Sequence, residues 1–197
     1  MINKKEYGAA GIPDSFFARG TVPMTKEEIR VITLSKARLI PGLVVWDVGS
    51  GTGSISVEAA RMTPGGMVYA VEKSSEGCRL TRENSLLFGV ENIQVIMGEA
   101  PGALDGLPSP DRVIIGGSGG MLKSIIRSAQ DRLNLGGRIV INAVTLDTLG
   151  SSLECLQGGW ETEVIQVSIS KAQVMGASRL MKAYNPVYVI TAWRCGV

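Results

Sequence analysis

The stretch that leaves fewest folds open to this chain is residues 43–58, LVVWDVGSGTGSISVE: an apolar run, an acid, a glycine-rich turn and a helical pattern. Leu43, Val44, Val45, Trp46 and Val48 form the short, nearly continuous apolar run of a strand covered on both faces, as strands of parallel sheets are. Gly49, Gly51 and Gly53 let the chain turn sharply and let a ligand approach the backbone. Ser54 stands where a helix cap belongs, and Ile55, Val57, Ala59 and Ala60 follow at core-facing positions. The alternation continues down the chain, with strands predicted at 66–72, 92–97, 112–115 and 138–143. Helices are predicted at 74–88, ending at Gly89, at about 121–133, and before Gly158-Gly159. Two longer runs, 161–170 and 186–193, read as an antiparallel pair joined by residues 171–185. The predicted fold class is α/β: a Rossmann-like, mostly parallel seven-stranded sheet with an antiparallel C-terminal strand pair, in a single domain over 1–197. In such sheets a ligand sits outside the carboxyl ends of the strands, where strand order reverses.

The residues at those strand ends point to the ligand. A dinucleotide fold wants G-x-G-x-x-G, with its third glycine at position 54, whereas this chain has glycine at 49, 51 and 53. The tighter spacing favours S-adenosyl-L-methionine (SAM) over NAD. Bound SAM needs a close backbone for its methionine part, an acceptor for its ribose hydroxyls and a slot for adenine. Gly49, Ser50, Gly51, Thr52 and Gly53 offer the first. Glu72, at the end of the second strand, can accept both ribose hydroxyls, and is otherwise an exposed acid after a strand. Glu99 and Ala100, after the third strand, offer the adenine contact, although an acid-alanine pair is also common in loops. Asp47 could receive backbone amides, help hold the cofactor's ammonium, or simply support the loop. A dehydrogenase would use the same loop and the same Glu72, so glycine spacing and the antiparallel pair decide between the two.

Composition narrows the chemistry. The chain carries 20 Lys and Arg against 18 Asp and Glu, with no basic tract, so a sequence-independent nucleic-acid footprint is unsupported. Cys78, Cys155 and Cys195 are odd in number and lack C-x-x-C spacing, which suggests neither a disulfide framework nor a zinc site. They read as reduced cytosolic thiols. There is no histidine, which removes Ser-His and Cys-His nucleophiles and His-ligated metals, and no metal is expected. The opening MINKKEYGAAG lacks the apolar core of a signal peptide and no window approaches a membrane span, so a cytoplasmic protein is expected.

Residues 1–11 read as a flexible tail and 12–42 as an N-terminal lid and helix. GIPDSFFARGTVPM is irregular yet carries Phe16, Phe17 and Val22, so it is expected to pack rather than float free. Thr25 and Glu28 form a T-x-x-E capping box for a helix running to Ile40, where Pro41-Gly42 stops it. Lys26 and Arg30, one turn apart, read as solvated surface. The hydroxyl and amides at this N-terminus could also meet a ligand lying over the glycine loop. After the fourth strand comes Gly-Gly-Ser-Gly-Gly at 116–120, where methyltransferases acting on amino groups carry Asn/Asp-Pro-Pro-aromatic. A floor nearly free of side chains suits a large flat substrate, although glycine there can also serve close packing.

From Gly11 onward the chain resembles a known family. GIPDSFFARGTVPMTKEEIR, LSKARL, WDVGSGTGSISVEAA, the strand ending AVEK and the loop IIGGSGG are similar to the decarboxylating cobalt-precorrin-6B C-15 methyltransferases of anaerobic cobalamin biosynthesis. The specific parts are IPD-x-x-F-x-R, VPMTKEE and GGSGG, since the glycine loop is shared by most Rossmann-like methyltransferases. The resemblance implies that Thr25, residues 49–53, Glu72 and Ala100 contact SAM. It implies methylation at C-15 of a corrinoid precursor with loss of carbon dioxide from its C-12 acetate. It also implies a homo-oligomer, usually a tetramer, and a separate protein for any C-5 methylation. Methyl transfer from a sulfonium chiefly needs the acceptor carbon held about 3 Å from the methyl group, and the conjugated macrocycle can serve as its own electron sink for decarboxylation. No catalytic side chain is assigned. Carboxylates on the substrate call for cations: Arg19, Lys26 and Arg30 near the cofactor-side rim, and Lys171, Arg179 and Lys182 on the long connection. Their grouping favours Arg19 and Arg179 as substrate ligands, with Gly117 and Ser118 beneath. Competing readings are a SAM-dependent methyltransferase acting on RNA or another small molecule, and a non-catalytic SAM-binding or scaffold subunit.

Overall fold

The computed structural model describes residues 10–176 and 178–194; of the tail expected at 1–11, residues 1–9 lie outside the described residues, as does Cys195, while Gly11 is buried with its N–H on Glu58 and is no free tail. The chain runs α1 (Glu27–Ala37), β1 (Val44–Val48), α2 (Ser54–Met62), β2 (Met67–Glu72), α3 (Ser75–Phe88), β3 (Ile93–Met97), β4 (Arg112–Ile115), α4 (Leu122–Arg132), β5 (Arg138–Ala143) and α5 (Leu146–Cys155). It closes with β6 (Trp160–Val167), β7 (Ser170–Met175), β8 (Ser178–Ala183) and β9 (Val187–Arg194).

Alternation along β1 sets the layers. Trp46 and Val48 enter one apolar layer with Ile125 and Ile126 of α4, while Val45 enters the other with Leu34, Ile55 and Ala59 of α1 and α2. Trp46 satisfies its one polar atom by donating Nε1–H to the Pro108 carbonyl at 3.1 Å, and the Arg132 guanidinium lies 4.7 Å from its ring centre. Asp47 shares the face of Val45 and is therefore buried beneath α2.

Seven strands form one sheet in the order β3-β2-β1-β4-β5-β9-β6. The β1–β2, β1–β4, β2–β3 and β4–β5 pairings are parallel, and β9 runs antiparallel to both β5 and β6. The expected antiparallel pair is thus β9 inserted between two strands of the majority direction. Residues 171–185 are not a plain connection, because β7 and β8 pair antiparallel as a separate two-stranded sheet. Nearly every residue of that hairpin faces solvent within one chain, so no buried face marks it in the sequence.

Helix ends differ from expectation at both ends of α1 and at the start of α2. The T-x-x-E box does not form: Lys26 is the N-cap of α1, with no side-chain cap, and the helix stops at Ala37 because Arg38 turns left-handed at φ 50°. Gly53, not Ser54, is the N-cap residue of α2, and Ser54 is its first helical residue. Ser74 and Gly89 cap α3 as the pattern requires, with Ser74 Oγ accepting from the Gly77 N–H at 3.0 Å.

Candidate active site

Strand order reverses between β1 and β4, and the loops leaving their carboxyl ends meet there. Gly49 has φ 76°, and a Cβ on it would lie 2.5 Å from the Gly117 carbonyl oxygen, so only glycine lets the two loops touch. Gly51 meets the N-terminal segment in the same way, since a Cβ there would lie 2.9 Å from the Pro23 carbonyl. A cleft of about 670 Å³ opens between these loops and that segment. Its walls are Val22 to Lys26 and Ile29 from the lid and α1, Gly49 to Gly51 from the turn, and Glu72 to Ser74 after β2. Gly98 to Ala100, Gly116 to Gly119, and Asn142 and Val144 at the end of β5 line it too, with apolar side chains such as Ile55, Ile125 and Val187.

Glu72 organises the cofactor half. Its Oε2 accepts the Gly51 N–H at 3.0 Å and its Oε1 the Ser74 N–H at 2.8 Å, which pins the glycine turn to the end of β2. A carboxylate has about four acceptor sites, so two remain for a ligand. Gly77 allows this placement, because a Cβ on it would meet the Glu72 Cγ at 2.7 Å. Glu99 pairs with Lys73 at 3.3 Å across the cleft mouth, beside Gly119, and Ala100 is buried behind it.

The expected cofactor residues divide into two sets. Thr25, Gly49, Ser50, Gly51, Glu72, Glu99 and Ala100 line the cleft. Thr52 and Gly53 lie behind the turn instead: Thr52 is buried and its carbonyl accepts the Asn84 Nδ2–H at 2.8 Å, while Gly53 abuts Thr81. Asp47 is also off the cleft wall. It receives the Ser56 hydroxyl on Oδ2 and is met by the Ser56 backbone N–H as well, while its Oδ1 is buried without a partner. Burial first, and then the nearby Glu72 charge, push its pKa up to about 6.

Among the expected substrate residues, Gly117 and Ser118 form the floor. Arg19 is half exposed, donates Nε–H to the Asp14 carbonyl at 3.2 Å and sits 3.8 Å from the Asp14 carboxylate, outside the cleft wall. Arg179 lies on the exposed β8, opposite Val174 of β7. Lys171 pairs with Glu28, and Lys26 lines the cleft 3.6 Å from Asp14.

Arg30 overturns the reading of a solvated cation. It is fully buried and ion-paired to the buried Glu58, with further bonds to the Ile12 carbonyl and, at 2.7 Å, to the Thr25 carbonyl. Glu58 in turn accepts the Gly11 and Ile12 N–H groups at 2.8 and 3.0 Å. Asn84 accepts the Ala18 N–H at 2.7 Å, and Glu76 accepts the Thr21 N–H at 2.8 Å. Phe17 closes the apolar side against Phe88, ring centres 4.8 Å apart. Three polar side chains of α2 and α3 thus stitch the lid in place. The acid inside the apolar run ISVEAA was the available signal for Glu58, and nothing local marked Asn84, Glu76 or Asn142.

A switch-point cleft with glycines at 49, 51 and 53, in a sheet whose β9 runs antiparallel between β5 and β6, gives the chain the architecture of Rossmann-like methyltransferases. Residues 15–196 match the family model described as the precorrin methyltransferase domain, and the chain belongs to that family. It is 45% identical over 191 residues, 95% of this chain and 97% of the relative, to a probable cobalt-precorrin-6B C(15)-methyltransferase (decarboxylating) of Pyrobaculum calidifontis. Among solved structures it is similar to the precorrin-6y C5,15-methyltransferase of Geobacter metallireducens, with TM-score 0.90, 44% identity, and 96% and 98% of the two chains covered. It is also similar to precorrin 8W decarboxylase of Methanobacterium thermoautotrophicum, with TM-score 0.87, 33% identity, and 92% and 99% covered.

Proposed function

We propose that this chain is a SAM-dependent C-methyltransferase that methylates C-15 of cobalt-precorrin-6B and decarboxylates its C-12 acetate. The observation that carries the reading is Glu72, which clamps the glycine turn and keeps two acceptor sites over the cleft of a precorrin methyltransferase domain. In this reading the ribose lies on Glu72 and the adenine near Glu99 and Ala100. The methionine part lies along Gly49 to Gly51 under Thr25, with Thr52 and Gly53 shaping the turn from behind. The substrate rests on Gly117 and Ser118, with Lys26 a cation already on the wall, while Lys73, also on the wall, is paired with Glu99. Arg19 and Arg179 reach its carboxylates only if their side chains or a neighbouring copy bring them in. The chain acts as one domain in the cytoplasm; among the described residues no helix is long and apolar enough to cross a membrane.

The bound cofactor supplies an electrophilic methyl group and the macrocycle the electron sink. The protein's part is positioning: it holds the acceptor carbon in line and excludes water beneath the lid. The β7–β8 hairpin supports the homo-oligomer, since an isolated two-stranded sheet is marginal in water and this one exposes Val174, Met175, Leu180 and Met181. A C-5 methyltransferase would be a separate partner. Two measurements test the activity. Calorimetry should show SAM binding in the micromolar range and none for NADH. Incubation with SAM and cobalt-precorrin-6B should yield, by mass spectrometry, a product that has gained a methyl group and lost carbon dioxide. Binding of NADH in place of SAM, or an unaltered precorrin, overturns the reading.

A further inference from the structure

Among the described residues lining the cleft, four carry charge: the acids Glu72 and Glu99 and the cations Lys26 and Lys73. In the binding mode proposed above, on which this inference rests, Glu72 takes the ribose, Glu99 the adenine, and Lys26 faces the substrate. Lys73 is the wall charge that mode leaves without a ligand. It follows Glu72 at the end of β2, is more than half exposed, and its Nζ lies 3.3 Å from Glu99 Oε1. The pair rests on the loop after β4. A Cβ on Gly119, whose φ is 55°, would lie 2.9 Å from Lys73 Nζ and 3.2 Å from Glu99 Oε1. Glycine at 119 therefore lets an ammonium lie against the loop, one residue beyond Ser118 of the floor.

A substrate lying on Gly117 and Ser118 brings its edge to that ammonium. An ammonium has three donors, and Lys73 places one of them on Glu99. Exposed ion pairs of this kind contribute little, so a second carboxylate joins or replaces Glu99 at small cost. Bound adenine drives the same exchange, because its amino group competes for the Glu99 carboxylate. Lys26 reaches the cleft from the other side. It precedes α1, whose Leu34 packs with Val140 of β5 and Val189 of β9, whereas Lys73 leaves β2. In the order β2-β1-β4-β5 the floor after β4 thus lies between the two cations. We infer that Lys73 is a substrate ligand, and that its ammonium and that of Lys26 hold carboxylates on opposite edges of the macrocycle lying on the Gly117-Ser118 floor. An ion pair stabilises a carboxylate against leaving as carbon dioxide, so Lys73 holds one that the reaction retains. Its contribution is to binding, not to the chemical step.

The test measures KM and kcat for cobalt-precorrin-6B at saturating SAM, by mass spectrometry of the product, with SAM affinity by calorimetry showing that each variant is folded. Lys73→Gln raises the precorrin KM by about tenfold and lowers kcat by less than about twofold. Lys73→Glu sets a like charge against the substrate and raises KM further, while Lys73→Arg recovers most of the wild-type value. Glu99→Gln separates substrate binding from a merely structural ion pair. It breaks the same pair but leaves the ammonium, so it weakens SAM while lowering the precorrin KM, by up to about fivefold. If Lys73→Gln leaves the precorrin KM within about twofold of wild type, or Glu99→Gln raises it as Lys73→Gln does, the inference is overturned while the methyltransferase reading stands. A wild-type protein that binds SAM but leaves the precorrin unaltered overturns both.

Discussion

Glu72 gives one acceptor site from each oxygen to the backbone, so a change there has two effects at once. Glu72→Gln replaces one acceptor with a donor that faces an N–H, and removes the charge from the ribose contact. SAM affinity is expected to fall by about 1.5–3 kcal/mol, or roughly 10- to 150-fold, in a calorimetric titration. An affinity within twofold of wild type would remove Glu72 from the cofactor site. Asp47 shows its effect as pH dependence. Its folded pKa of about 6 lies above its ordinary value of 3.8, so the folded state binds the proton more tightly than the unfolded state does. The associated stability is fully present below about pH 3.8 and is lost as pH rises through about 6, about 3 kcal/mol in all. Asn in its place does not ionise. Urea denaturation should therefore show Asp47→Asn gaining on wild type by about that amount between pH 4 and pH 7; a constant difference would show that Asp47 does not hold its proton.

The element whose role changed most is the segment before α1. Its aromatic residues announced packing, and Phe17 and Ile12 do pack. Its placement over the cleft, however, depends on Glu58, Asn84 and Glu76, which lie between 46 and 66 residues away in the chain. Arg30 read as surface because i,i+4 spacing from Lys26 locates a residue on a helix face without saying what covers that face. Arg30→Met leaves the buried Glu58 carboxyl without its ion-pair partner, with an expected cost of about 3–5 kcal/mol in urea denaturation. Arg30→Met with Glu58→Leu should recover most of that loss. The lid's N–H groups remain unbound in the double variant, so cleavage within residues 10–26 by a limiting protease should still rise. A double variant no more stable than Arg30→Met would mean that the ion pair is not what destabilises the single one. The five parallel strands, β9 and α3 were legible to within a residue or two, because their apolar runs, Ser74 and Gly89 are local signals, whereas β6 ends three residues before the run at 161–170 does. The cap of α1 was not: the Glu28 carboxylate pairs with Lys171 of β7, far along the chain, and the Thr25 carbonyl accepts from Arg30.

At the scale of the molecule, the β7–β8 hairpin is a sheet with no cover of its own. Val174 and Met181 stand on one of its faces, by the Val174↔Arg179 and Ala172↔Met181 pairing. Val174→Glu with Met181→Glu should reduce the mass in sedimentation equilibrium to that of a smaller assembly, leaving SAM affinity within twofold; an unchanged mass would place the interface elsewhere. The sequence by itself determined the α/β class, the strand that carries the glycine turn and the acid at the end of β2, because each rests on periodicity or on residues close along the chain. Tertiary structure alone decided that β9 lies between β5 and β6, that residues 171–185 form a second sheet, that Glu58 and Arg30 are a buried pair, and that Asn142 faces the cleft. Each of these depends on which distant surfaces meet when the apolar layers close, and such pairings leave no local pattern to read.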